Sequence, residues 1–145
     1  MFPLPFFDII MDFYKNFVKC GILGWCMEIT FTALGALRRR ELPLVGHTSL
    51  WMFPIYGSVA LFKPIFSLLK HCHLIMRGTV YALSIFSVEY ACGRFLTKHE
   101  LCPWNYNSHH WHINGVIRMD YFPYWFFAGL LFERILTSNR KSADV

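Results

Sequence analysis

A chain of 145 residues is long enough for one compact unit and hardly for two. It is 55% hydrophobic and 16% charged, whereas soluble domains run at about 45–50% and about 25%, so an ordinary soluble domain is excluded as the first reading. The formal charge of +5 comes from 14 Lys and Arg against 9 Asp and Glu. The basic residues stand in short clusters between apolar runs, where they orient a membrane protein and meet anionic lipid. Nucleic acid is therefore not an expected partner; the lipid bilayer is.

The N-terminal stretch Met1 to Asp12 is apolar but carries Asp8, has no basic start and no small-residue cleavage site, and so does not read as a signal peptide. The five cysteines form no C-x-x-C pair, and Cys20, Cys26 and Cys92 lie inside apolar runs, where a thiol behaves as a small hydrophobe. No disulfide framework is expected.

A helical span takes about 20 mostly apolar residues. Four segments qualify in chain order: about 20–37, 47–69, 74–96 and 113–136, followed by a short polar tail over 137–145. The first carries one charge, Glu28, and ends at Arg38-Arg39-Arg40. The second holds Pro54 and Lys63-Pro64, the third Arg77, Glu89 and Arg94, the fourth Arg118, Asp120 and Glu133. A soluble four-helix bundle would need a broad charged stripe on each helix, and none is visible. The expected class is all-α: a polytopic membrane protein with about four transmembrane helices in a single membrane domain. Lys15, Lys19, Lys63, Lys70, Arg77, Arg134, Arg140 and Lys141 fall on the side of both termini. Arg38, Arg39, Arg40, Arg94, Lys98 and Arg118 fall opposite. The balance places both termini in the cytoplasm.

The segment from Gly46 through Phe53-Pro54 to Tyr56 aligns with that from Gly115 through Phe122-Pro123 to Trp125, and each is preceded by a glutamate, Glu28 or Glu89. Two readings follow: parallel helix-pair repeats, the second with a connection eight residues longer, or a coincidence in an aromatic-rich chain.

Glu28 lies near the middle of the cleanest span, where an ionised carboxylate costs about 2.5–3.5 kcal/mol. Such a group faces the interior, pairs with a cation or stays protonated. It reads either as a site for a proton, cation or polar head group, or as half of a structural pair. Glu89 and Arg94 lie at comparable depth, but a spacing of five does not bring them together on one helix, so Glu28 with Arg94 is one candidate pair. Asp120 with Arg118 suits a solvated interface, and Glu133-Arg134 a span boundary. Cys102, His109, His110 and His112 could supply four zinc ligands, but their spacing matches no standard site; an aromatic belt with polar tips accounts for them at less cost. No cofactor motif, nucleotide loop or Ser-His-Asp spacing appears.

These residues carry a resemblance. Gly24-Trp25-Cys26-Met27-Glu28, Thr48-Ser49-Leu50-Trp51, Pro54-Ile55-Tyr56-Gly57, Glu89-Tyr90, Cys102-Pro103-Trp104-Asn105-Tyr106 and Asn114-Gly115 occur in that order. On them the chain resembles the eukaryotic transmembrane protein 229 family and, more distantly, the bacterial family labelled putative ABC-transporter type IV, or CmpB-like. The resemblance covers about residues 20–136 and implies a small multi-pass helical membrane protein. Two motifs depart from the family pattern: its Trp-Asp-Tyr-Ser reads Trp104-Asn105-Tyr106-Asn107, and its Asn-Gly-Arg reads Asn114-Gly115-Val116.

The leading expectation is thus a ligand site built from Glu28, Glu89 and Arg94, binding a cation, proton or lipid head group in a transport-related or lipid-sensing role. The rival is an accessory or structural subunit without a ligand, working with partner membrane subunits or as a homo-oligomer. A membrane-embedded enzyme using Glu28 or His109 as acid or base lacks a nearby nucleophile or metal.

Overall fold

The computed structural model describes residues 4–138; the tail expected at 137–145 lies outside them beyond Ser138. The chain is mostly helical and divides after Phe62 into two compact units.

The first unit opens with α1, Leu4–Arg38. At 1.5 Å per residue these 35 residues span about 52 Å, because the helix continues N-terminally well past the clean apolar run. It stops where Arg40 turns left-handed (φ 61) and Glu41 N–H reaches back to the Ala36 carbonyl at 3.0 Å. The returning loop is stitched to α1. Thr32 Oγ1 accepts from His47 N–H at 2.8 Å, and Trp25 Nε1 donates to the Ser49 carbonyl at 3.0 Å. Residues 47–51, expected to be helical, are therefore held as loop. Next come α2, Met52–Gly57, a 3-10 turn Ser58–Phe62 and, in the second unit, α3, Lys63–Leu69. Pro54 and Pro64 each remove an N–H donor, in line with this segmentation. α2 packs on α1 through rings seated on small residues: a Cβ at Gly24 would fall inside the Tyr56 side chain. Such contact between backbone and ring suits helices that gain little from expelling water and associate by close packing.

The second unit continues with α4, Leu74–Lys98, and α5, Phe122–Ser138. Both bury one stripe. On α5 it is Trp125, Ala128, Gly129, Phe132, Glu133 and Leu136, the three-and-four spacing of a helix face. Between them lies a two-stranded hairpin, β1 (His112–Ile113) antiparallel to β2 (Ile117–Arg118), which the all-α expectation did not include. Its turn is Asn114-Gly115, both left-handed at φ 51 and 70, the dipeptide such turns favour. A 3-10 turn, Met119–Tyr121, then leads into α5.

Two helical segments are long and apolar enough to cross a membrane, Phe6–Arg38 and Met52–Leu69. With only 22% of each apolar window buried within the protein, they are unlike the mostly buried core helices of soluble proteins.

Candidate functional site

Glu28 is half-buried on α1, on the face that carries Trp25 and Thr32, and so lies between the two stitches that hold the loop. From that loop Thr48 Oγ1 donates to Glu28 Oε2 at 2.6 Å. One carboxylate oxygen is thus engaged by a neutral donor. No cation of this unit is hydrogen-bonded to Glu28 among the described contacts.

Glu89 and Arg94 belong to the second unit. Glu89 is half-buried on α4, whereas Arg94 is exposed. The cation that shares a neighbour with Glu89 is Arg118: it donates to the Tyr121 hydroxyl at 3.1 Å and sits over that ring at 4.6 Å from its centroid. Burial raises the Tyr121 phenol above its ordinary pKa; Arg118 opposes the shift, while Asp120 and Glu89 add to it. Arg118 also closes a fork on Asp120, Nη2 to Oδ2 at 2.8 Å, which holds the Asp120 carboxyl below its ordinary range. His109 Nε2 lies 3.4 Å from Arg118 Nη1 on the far side.

A carboxyl depressed in the fold contributes stability above its unfolded pKa and loses it as pH falls through the lower folded one. Asp120→Asn should therefore melt below wild type at pH 6, by less than about 1 kcal/mol for so exposed a pair. The gap should close as pH drops past the ordinary carboxylate range near pH 4. Thermal melts from pH 6 to 3 check this; a gap that stays constant would show that the fork does not set it.

Sequence reasoning missed a third charged cluster. Arg77 of α4 and Glu133 of α5 form an ion pair with side chains 23% and 6% exposed, and the buried Tyr81 lies beside both. Glu133, read as a span boundary, is instead a core residue at 4% exposure. The available signal was an arginine and a glutamate each embedded in an otherwise apolar run.

The His- and Cys-rich loop brings no three metal-capable side chains together among the described residues. Cys102 Sγ donates to the Trp104 carbonyl at 3.2 Å, and His112 Nδ1 accepts Gly115 N–H at 3.0 Å.

Glu28 and the Glu89–Tyr121–Arg118 cluster have a common setting: a carboxylate on a long helix faces a loop that leads into a Phe-Pro helix. No solved structure matches the chain. A family model covers nearly all of it, residues 15–143, and so takes in both carboxylates, both loops and both Phe-Pro helices. The chain belongs to the family described as Putative ABC-transporter type IV.

Proposed function

We propose that this is a multi-pass, transport-related membrane protein of about four spans, with both termini cytoplasmic, whose helix-borne carboxylates bind a cation or polar head group. Glu28 carries the reading: a carboxylate on a helix fit to cross a bilayer, engaged by one hydroxyl at 2.6 Å and by no cation of its own unit among the described contacts. An intramembrane ionisable group of this kind marks a site by default. The motif order favours the transmembrane protein 229 group within the family.

Matched contacts in the two units support a reading of the chain as two helix pairs. Positions 61 apart on α1 and α4, and 69 apart beyond the loops, make equivalent contacts. Trp25 meets Phe53 with ring centroids 4.8 Å apart, and Phe86 meets Phe122 at 6.5 Å. Thr32 binds His47, and Val116 fills the space where Gly93 lacks a Cβ. Phe17 covers Gly57, and in the second unit the roles reverse, Phe126 covering Gly78.

Native mass spectrometry of the protein in mild detergent, beside Glu28→Gln, tests the site. A small molecule or lipid retained by wild type and lost from the variant is the expected result. The same species held by both would end this reading. The accessory-subunit alternative draws on the Arg77–Glu133 pair, which shows charge used to join helices. It predicts bare protein in both samples and a lower melting temperature for the variant.

A further inference from the structure

The loop between α1 and α2 runs back along α1 instead of leaving from its end. Gly46 lies against the Ile29 carbonyl, where a Cβ would collide. His47 N–H is held by Thr32, Thr48 reaches Glu28, and the Ser49 carbonyl meets the Trp25 indole. Counted down α1 from Arg38 at 1.5 Å per residue, Thr32 lies about 9 Å, Glu28 about 15 Å and Trp25 about 20 Å along the helix. Arg38, Arg39 and Arg40 hold that end of α1 at the level of the head groups. Shifting the bilayer towards the other end, to leave the loop in water, would draw Asp8, Asp12, Lys15 and Lys19 into hydrocarbon. The loop therefore descends to about the middle of a core some 30 Å thick.

Chain that is not helical at that depth must find partners for its backbone, and lipid offers none. A helix would have satisfied those groups internally, but Pro43 and the left-handed Leu44 (φ 50) prevent one. Leu44 N–H bonds to the Glu41 carbonyl at 3.1 Å and His47 N–H to Thr32 Oγ1 at 2.8 Å. The N–H groups of Val45, Gly46, Thr48 and Ser49 donate to no described residue. Leu42, Val45 and Leu50 are 80%, 56% and 78% exposed, so the loop is not buried in protein. Irregular backbone persists at membrane depth where protein buries it or where it lines water. Here the second condition is left.

We propose that loop 41–51 lines a water-filled vestibule that opens at the C-terminal end of α1 and reaches Glu28. Whatever Glu28 holds is then exchanged with water on that side instead of being drawn from the lipid. The inference rests on α1 crossing the bilayer, as proposed above, and not on Glu28 retaining a ligand.

The full chain in sealed proteoliposomes tests it, with Leu42→Cys, Val45→Cys and Thr48→Cys made singly. The probe is a membrane-impermeant trimethylammonium methanethiosulfonate, and peptide mass spectrometry reads the labelling at each position. The natural Cys26 is exposed; two residues from Glu28, it lies at the same depth and about 200° round the helix, which makes it the lipid-facing reference. Val45→Cys and Thr48→Cys should react within about tenfold of Leu42→Cys and at least about a hundredfold faster than Cys26, because a thiol must meet water to ionise and react. Thr48→Cys also removes the bond to Glu28, so hydrogen exchange is followed on the unaltered protein. There the Gly46 and Thr48 amides should exchange at least about tenfold faster than that of His47, which has a partner. Labelling of Thr48→Cys as slow as that of Cys26 overturns the vestibule while α1 still spans. Rapid labelling of Cys26 places the helix itself in water and removes the spanning reading as well. Gly46 and Thr48 amides as protected as His47 would show the loop closed off from water and would equally sink the proposal. If Glu28→Gln keeps its bound species in the mass-spectrometric test, these rates are untouched, so the two readings fail separately.

Discussion

Replacing Glu133 with leucine should lower stability by about 3 kcal/mol, because it leaves Arg77, its side chain only 23% exposed, charged with its partner gone. Arg77→Met should cost a similar amount by stranding the carboxylate, whose side chain is only 6% exposed. The double variant Arg77→Met with Glu133→Leu should recover most of the loss, since a well-packed apolar pair often matches or exceeds a buried ion pair. Thermal unfolding in detergent of the four proteins closes the cycle. Singles within about 0.5 kcal/mol of wild type, the range of ordinary surface changes, would mean that water reaches the pair. A double variant no better than the singles would mean that the charges hold something besides each other.

The second large effect is expected at the ring that covers Gly57. Phe17→Gly removes that ring and puts glycine inside a helix, for a loss of about 3 kcal/mol. Gly57→Phe drives a second ring into the space Phe17 fills, an overpacking that costs about 1–3 kcal/mol. Made together, the two changes copy the second unit, where glycine lies on the long helix and phenylalanine on the short one. The pair should therefore be more stable than the sum of the singles by at least about 1 kcal/mol, the coupling of residues that share a contact. Simple additivity would count against the equivalence of the two units. The same four melting curves that give the coupling also give its sign.

How much of this was legible depended on range. Helix placement followed the apolar run most nearly at α4, which covers Leu74–Lys98 where the run suggested 74–96, whereas α1 starts at Leu4 and α5 only at Phe122. The hairpin was not anticipated, although Asn114-Gly115 advertised its turn, because the apolar Ile113, Val116 and Ile117 on either side read equally well as the start of a helix. Partners were the least legible. Glu28 finds Thr48 twenty residues on, and Arg77 finds Glu133 fifty-six residues on. Periodicity on a single helix cannot show which face of another will meet it. Arg94 and Arg118 illustrate this: the cation closer in sequence to Glu89 points outward, and a more distant one shares its neighbour Tyr121.

The reversed placement of phenylalanine and glycine also limits how such a chain can be rebuilt by recombination. A crossover between the units, bringing each long helix with its own short one, leaves every ring opposite its glycine. One that exchanges a single helix sets Phe17 against Phe126, or Gly57 against Gly78, giving a collision or a hole. Each pair of helices is therefore exchangeable only as a unit, because the ring on one member is matched to the glycine on the other.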